Sequence, residues 1–179
     1  ETWIDQVIMR ISDIFIAVPP LVLALAICSV LTPSVFNSMM AVSLMWWPWY
    51  TRLMRAQAAS LRERPFVEAA RGLGVGELPI VFRHILPNSL TPIIVQATMD
   101  VGSAILLTSA LSFLGLGAQP PTPEWGLMVS LGRTYIRNYW WYATFPGLAI
   151  FVTVMAFNLL GDGLRKALDP RLRIKSRLM

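Results

Sequence analysis

Four long stretches of this sequence are almost free of charge. Residues 14–31, 35–51 and 138–161 contain no charged residue, and residues 86–118 contain a single acid, Asp100. A helix needs about 20 mostly apolar residues to cross a membrane, and these stretches lack the polar stripe that a helix of a soluble bundle presents to water. The pattern predicts an all-α membrane protein with four spans, at about residues 14–31, 35–55, 90–114 and 140–161.

Prolines divide these stretches into predicted elements. Pro19 and Pro20 fall inside the first span and predict a kink, because proline lacks the backbone N–H and clashes with the preceding turn. Residues 32–34, Thr-Pro-Ser, predict a tight turn before the second span. The third span is expected to begin after Pro87 or Pro92.

The polar segment between the second and third spans has a helical pattern of its own. Pro65 suits the first turn of a helix, where its missing N–H is not needed. Four apolar residues follow at i, i+3, i+4 and i+7 and predict one apolar face: Phe66, Ala69, Ala70 and Leu73. Three glycines then predict the end of the helix, because glycine tolerates a left-handed backbone: Gly72, Gly74 and Gly76. Pro79 is expected to begin a second short helix, which Pro87 stops.

Two interpretations of this loop stay open on physical grounds. An amphipathic helix with small residues fits closely into a groove on a partner protein, and a basic amphipathic helix also lies flat on a lipid surface. Glu68 is on a different face from the apolar one. It is placed to brace Arg64 or Arg71 one turn away, or to accept hydrogen bonds from a partner.

Charge predicts the orientation of the chain. Only 14% of the residues are charged, against about 25% in an average soluble domain. Thirteen of the fifteen basic residues fall in residues 1–13, 52–83 and 162–179, and the other two are Arg133 and Arg137. Basic residues accumulate on the cytoplasmic side of a membrane, so both ends of this sequence are expected to be cytoplasmic. The net charge of +5 is therefore attributed to topology and to attraction for anionic lipid, rather than to nucleic-acid binding.

Two motifs resemble a known family. Residues 68–70, Glu-Ala-Ala, are followed by Gly74 and later by Leu86-Pro87. This spacing resembles the EAA loop of ABC importer permeases, although His84 stands where that pattern has an aliphatic residue. Residues 113–126, FLGLGAQPPTPEWG, and the Leu-Pro-Asn at 86–88 resemble the dipeptide/oligopeptide/nickel branch of that family.

The resemblance implies the fold and the role of the loop. The fold is a type I ABC importer transmembrane domain over residues 1–170, with four of the family's six spans, and a basic cytoplasmic tail at 171–179. Two N-terminal spans are expected to precede this sequence, which begins at Glu1 without an initiator Met. The loop is expected to couple to a separate ATPase through seven residues: Phe66, Glu68, Ala69, Ala70, Gly74, Leu86 and Pro87.

The implied function is import of di- and oligopeptides across the inner membrane of a prokaryote. The expected partners are a second homologous permease subunit, one or two ATP-binding subunits, an extracytoplasmic substrate-binding protein and membrane lipid. Nickel import by the same mechanism is the alternative within the family. A secondary transporter driven by an ion gradient, which Asp100 favours, and a membrane scaffold are alternatives from other classes.

The sequence contains little that would make this chain an enzyme. No phosphate-binding G-x-x-x-x-G-K-[ST] motif is present, and neither Lys166 nor Lys175 follows such a run. ATP and Mg²⁺ are therefore expected on the partner ATPase, with no cofactor in this chain. His84 and Cys28 are the sole histidine and cysteine, too few for a metal cluster or a catalytic triad.

Asp100 is the most unusual residue of the predicted spans. An acid in the middle of a span is costly unless it is paired or hydrated, so such residues are functional candidates. Asp100 is expected either to line a transport pathway or to make a polar contact between helices. Gln96 and Thr98 are near it in sequence and are candidates for hydrogen bonding to it.

Overall fold

A computed structural model describes residues 2–168, and its regular elements are all helical. The predicted basic tail at 171–179 lies outside the described residues. Within residues 2–168, eight α-helices follow in order, joined by a π-helical turn at Val81–Ile85 and a 3₁₀ turn at Arg133–Tyr135. Their bounds are α1 Trp3–Ala17, α2 Pro20–Val30, α3 Val35–Arg62, α4 Pro65–Gly72, α5 Glu77–Ile80, α6 Leu86–Phe113, α7 Trp125–Gly132 and α8 Trp141–Leu168.

The predicted first span is two helices rather than one kinked helix. The axes of α1 and α2 are bent by 89° at the break between them. Val18 has an extended backbone, with ψ at 131°, because a residue before proline is pushed out of the helical region. Pro20 then occupies the first turn of α2, where proline is favoured. The prolines therefore break the helix completely, and α1 begins well before the predicted residue 14.

Two helices within residues 2–168 are long and apolar enough to cross a membrane, and a third span results if the bent α1–α2 pair is counted as one. They are the continuous helix Glu77–Phe113 and α8. The predicted second span corresponds to α3, which has 28 residues. Its tryptophans, tyrosine and arginines lower its hydropathy below that of the other two. The prediction of four spans is thus matched by two or three helices of span-like composition, and the crossing of α3 stays a prediction.

The central helix of the packing is α6, which contacts α3, α7 and α8, whereas α1 and α2 pack on α3. Small residues let these helices approach closely. A Cβ added at Gly102 of α6 would lie 3.2 Å from the Val154 carbonyl oxygen of α8. Two ion pairs join α1 to α3: Asp5 with Arg55, through two bonds of 2.8 Å, and Asp13 with Arg52.

The proline-rich segment after α6 folds back onto the helices. Gly115 has a φ of +83°, which reverses the chain, and the buried Ser112 hydroxyl accepts a 3.0 Å bond from the Ala118 N–H. The carboxylate of Glu124 caps α7 by accepting bonds from the backbone N–H groups of Gly126 and Leu127. It also accepts a bond from the Ser109 hydroxyl at 3.1 Å. These contacts fix α7 against α6 and α8.

Candidate functional site

The loop between α3 and α6 has the helix and the glycine turn that the sequence predicts. Helix α4 begins at Pro65 and ends at Gly72. Gly74 has a φ of +79°, a left-handed conformation that residues with a Cβ rarely adopt. The prediction of a short helix closed by a glycine turn is confirmed, and of the three glycines it is Gly74 that has the special backbone conformation.

One face of α4 is buried within the chain itself. Val67 is 0% exposed and Ala70 is 8% exposed, and both pack in one cluster with Ile80 and Ile85. Ala58 and Leu61 of α3 close this cluster from the other side. Ala70 was expected to contact a partner, but its side chain lies in the chain's own core, and its role in coupling stays a prediction. Val67 was missed, although its i, i+3 spacing with Ala70 is the available signal.

The side of α4 next to this buried face is exposed, and it ends at Leu73, the residue that follows the helix. Phe66 is 43% exposed and Leu73 is 85% exposed, and Ala69, also exposed, lies between them at i+3. We call Phe66, Ala69 and Leu73 the exposed stripe. Their spacing places them on one side of the helix, so the predicted apolar face is confirmed for these three residues.

The charged residues of the loop pair differently from the expectation. The Arg71 guanidinium donates bonds of 2.9 and 3.3 Å to the Glu77 carboxylate across the glycine turn. This hydrogen bonding lowers the pKa of Glu77 below its usual value. Glu68 is exposed, and its side chain makes no hydrogen bond or ion pair with residues 2–168. Arg71 is therefore occupied by Glu77, and the carboxylate of Glu68 faces solvent beside the exposed stripe.

The second limb of the loop is continuous with α6. Pro87 was expected to stop a short helix there, and this is wrong. The π-helical turn Val81–Ile85 precedes it, with the Leu86 N–H donating to the Val81 carbonyl. A π turn widens the helix and leaves room for a proline that lacks its own N–H. Leu86 is half-buried and Pro87 is exposed, so the two residues are at the junction of loop and α6.

His84 lies near the exposed stripe. Its ring centroid is 6.4 Å from that of Phe66, and its carbonyl accepts a 2.6 Å bond from the Asn88 side chain. The side chain is half-buried. Within residues 2–168, no group of three or more His, Cys, Asp or Glu side chains is placed to hold a metal ion.

Asp100 joins two helices. The Tyr50 hydroxyl of α3 donates a 2.7 Å bond to Oδ2 of Asp100, and the Gln96 amide of α6 donates a 2.9 Å bond to Oδ1. Thr98 bonds to the Ile94 carbonyl of its own helix instead. Tyr50 was not foreseen, because it is 50 residues away in sequence and nothing local indicates the pairing.

A cavity of about 450 Å³ adjoins this carboxylate. It is lined by residues of α3 and α6: Trp46, Trp49, Tyr50, Leu53, Gln96 and Asp100. The interhelical contact and the exposure to a cavity therefore occur together at Asp100. The predicted contact between helices is therefore present, and a position on a transport pathway, the other alternative for this residue, stays a prediction.

Residues 1–174 match the family described as binding-protein-dependent transport system inner membrane component. The chain is 50% identical over 167 residues to a probable D,D-dipeptide transport system permease protein of Escherichia coli K12, covering 93% of this chain and 56% of that protein. It is 50% identical over 171 residues to a dipeptide transport system permease protein of Alkalihalophilus pseudofirmus, covering 96% and 56%. A glutathione transport system permease protein of Escherichia coli O6 is 47% identical over 173 residues, covering 97% and 57%.

The chain spans just over half the length of these curated relatives. The match nevertheless runs through the loop, both long apolar helices and the folded-back segment of this chain. The chain therefore belongs to the family of binding-protein-dependent transport system inner membrane components, in its dipeptide and oligopeptide branch of ABC importer permeases.

Proposed function

We propose that this chain is part of a membrane subunit that moves di- or oligopeptides across the cytoplasmic membrane, driven by ATP that a separate subunit hydrolyses. The family match over residues 1–174 carries this proposal. The relatives described above are named for dipeptides and for glutathione, a peptide, which favours peptides over nickel as cargo. The family also disfavours an ion-gradient mechanism. Catalysis, ATP and Mg²⁺ belong to the partner ATPase, and this chain needs no cofactor.

The partner ATPase docks on the exposed stripe of α4 in this proposal. Phe66, Ala69 and Leu73 present an apolar surface with one small residue at its centre, which suits insertion into a groove. Fully burying a phenylalanine or leucine side chain contributes about 1.5–3 kcal/mol. The solvent-facing carboxylate of Glu68 supplies an acceptor at the edge of this contact.

The internal face of α4 is what makes the docking useful for transport. Val67 and Ala70 pack on Ala58 of α3 and on Ile85 before α6. A force applied to α4 therefore reaches two long helices through close-packed side chains, which transmit displacement because protein interiors compress little. Gly74 and the continuous α5–α6 connection fix the angle at which the chain leaves α4 and enters α6.

The remaining partners are proposed by analogy with the family. We place the loop and both ends of the chain in the cytoplasm, with the tail at 171–179 near anionic lipid. A second homologous permease subunit completes the membrane domain, with one or two ATP-binding subunits below it. A substrate-binding protein delivers cargo from the other side. No role for nucleic acid is proposed.

The test combines copurification with uptake. In the full-length subunit, Leu73→Ser removes the most exposed apolar side chain of the stripe. It should release the ATPase and abolish ATP-dependent dipeptide uptake by membrane vesicles, with an unchanged amount of subunit in the membrane. The control is Leu159→Ser on α8, a similarly exposed leucine at 61%, which should keep the ATPase bound.

Two results would overturn this proposal. One is retention of the ATPase and of uptake by Leu73→Ser. The other is uptake by the unmodified complex that needs no ATP and follows an ion gradient. Uptake of nickel rather than dipeptide would keep the mechanism and change the cargo.

A further inference from the structure

The carboxylate of Asp100 has unused hydrogen-bonding capacity and adjoins a cavity of about 450 Å³. A carboxylate accepts about four hydrogen bonds, and Tyr50 and Gln96 supply one each. No basic side chain within residues 2–168 forms an ion pair with Asp100. Its negative charge is therefore held by two neutral donors, and it remains available to a cation that enters the cavity.

The rest of the cavity wall suits an organic cation. Trp46 and Trp49 line it with the Tyr50 ring, and indole is the most favourable side chain for cation–π contact. A hard metal ion prefers several oxygen ligands together, whereas this wall has one carboxylate. A volume of about 450 Å³ lies within the roughly 300–1,000 Å³ of small-molecule sites.

A second cavity lies beside the first along α6. This cavity of about 580 Å³ shares Leu53 and Gln96 with the first and extends to Asn88, at the loop end of α6. Residues 88 and 100 of a helix are about 18 Å apart along its axis. The two cavities therefore lie next to each other, between the middle of α6 and its loop end.

We propose that Asp100, held by Tyr50 and Gln96 and flanked by Trp46 and Trp49, contacts the N-terminal ammonium group of a peptide in transit. The α-amino group of a peptide has a pKa near 7.7–8.0, so it is mostly cationic at neutral pH. The contact favours peptides with a free amino terminus over N-blocked ones. This inference rests on the proposed function, because it takes the cargo to be a peptide.

A cysteine reporter beside the site tests the inference without removing the carboxylate. The reporter is Leu53→Cys, because Leu53 lines both cavities. It is placed in the full-length subunit with Cys28→Ser, and the complex with all partner subunits is reconstituted in nanodiscs. Its rate of modification by a water-soluble thiol reagent is measured while a dipeptide is titrated without nucleotide. Met54→Cys is the control reporter, since it lines a different cavity with Asp5 and Ile8.

We expect the dipeptide to slow modification of Leu53→Cys and to leave Met54→Cys unaffected. The N-acetylated dipeptide should protect much less. Adding Asp100→Asn should raise the half-protecting concentration up to about fivefold, as for loss of a solvated ion pair worth up to about 1 kcal/mol. Asp100→Glu should restore most of the protection, which separates a charge contact from a merely structural role.

Any of four results would overturn the inference. Leu53→Cys is not labelled, or the dipeptide does not protect it. The N-acetylated dipeptide protects it equally, or Asp100→Asn leaves the protection unchanged. ATP-dependent dipeptide uptake by the complex without reporter cysteines is measured in parallel. If uptake occurs but the protection pattern fails, this inference alone is wrong. If uptake itself is absent, the proposed function is wrong.

Discussion

Two adjacent alanines of α4 should respond in opposite ways to the same substitution. Ala70 is buried with Val67 and Ile80, whereas Ala69 is exposed in the middle of the exposed stripe. Tryptophan at position 70 must enter a filled core or push α4 away from it. Tryptophan at position 69 meets solvent in the isolated subunit and meets a partner only in the complex.

The expected size of the effect at Ala70 follows from packing. Overfilling a well-packed core costs about 1–3 kcal/mol, and each 1.4 kcal/mol is tenfold in an equilibrium constant. Ala70→Trp should therefore raise the population with α4 detached about 5- to 140-fold. Ala69→Trp displaces no neighbour within the chain, so this population should stay nearly unchanged.

Limited trypsin digestion of inside-out vesicles that contain the subunit without the ATPase measures this population, because cleavage at locally opened segments tracks the open fraction when closing is fast. Arg62 and Arg71 flank the α4 core and are the cleavage sites to follow. Ala70→Trp should be cut much faster than the unmodified subunit. Ala69→Trp should be cut at the unmodified rate while losing the ATPase on purification. Equal cleavage rates for the two variants, or retention of the ATPase by Ala69→Trp, would refute the assignment of inner and outer faces.

Two further predictions concern the loop and its orientation. Gly74→Val places a β-branched residue at a φ of +79°, which costs at least about 1–2 kcal/mol, so it should reduce dipeptide uptake in vesicles. The control is Gly72→Ala, where no atom lies within 4 Å of the added Cβ, and this variant should transport normally. After removal of Cys28, a single cysteine at Gly76 should react with an impermeant thiol reagent only from the cytoplasmic side. A single cysteine at Gln119 should react only from the external side. Labelling of Gly76→Cys from outside would invert the proposed topology.

The parts of the fold that were predictable are those set by local chemistry. Pro65 and Gly74 fix the beginning of α4 and the turn after it through backbone constraints that act within a few residues. The uncharged stretches at 86–118 and 138–161 likewise predict long apolar helices without reference to any neighbour, and they correspond to α6 and α8. Such features depend on nearby residues alone, and the structure keeps them.

The features that were not predictable depend on distant parts of the chain. Spacing places Phe66, Ala69, Ala70 and Leu73 within one broad face, but the position of Ile80 and Leu61 decides that Ala70 is internal. Val67 joins Ala70 for the same reason. Only the packing of α3 against α6 brings Tyr50 to Asp100.

Proline was the least informative of the local signals. At Pro19 and Pro20 it breaks a helix, at Pro87 it follows a π turn in an uninterrupted helix, and at Pro92 it lies inside α6. A proline requires only that one carbonyl be left without its helical partner and that room exist for the ring. Breaking, widening or bending the helix all meet that requirement, so the sequence alone does not choose among them.

The different outcomes at Pro19–Pro20 and Pro87 matter for how motion would pass through the chain. The break between α1 and α2 separates two helices whose axes differ by 89°, so displacement of α1 has no straight path into α2. The widened turn before Pro87 keeps Glu77–Phe113 as one helix, so displacement of the loop acts directly on the helix that carries Asp100. The α4 core adds a second connection through Leu61 of α3, the helix that carries Tyr50. Movement of α4 relative to the membrane would therefore act on both helices that hold the Asp100 hydrogen bond, and shear between them would change the cavity beside it.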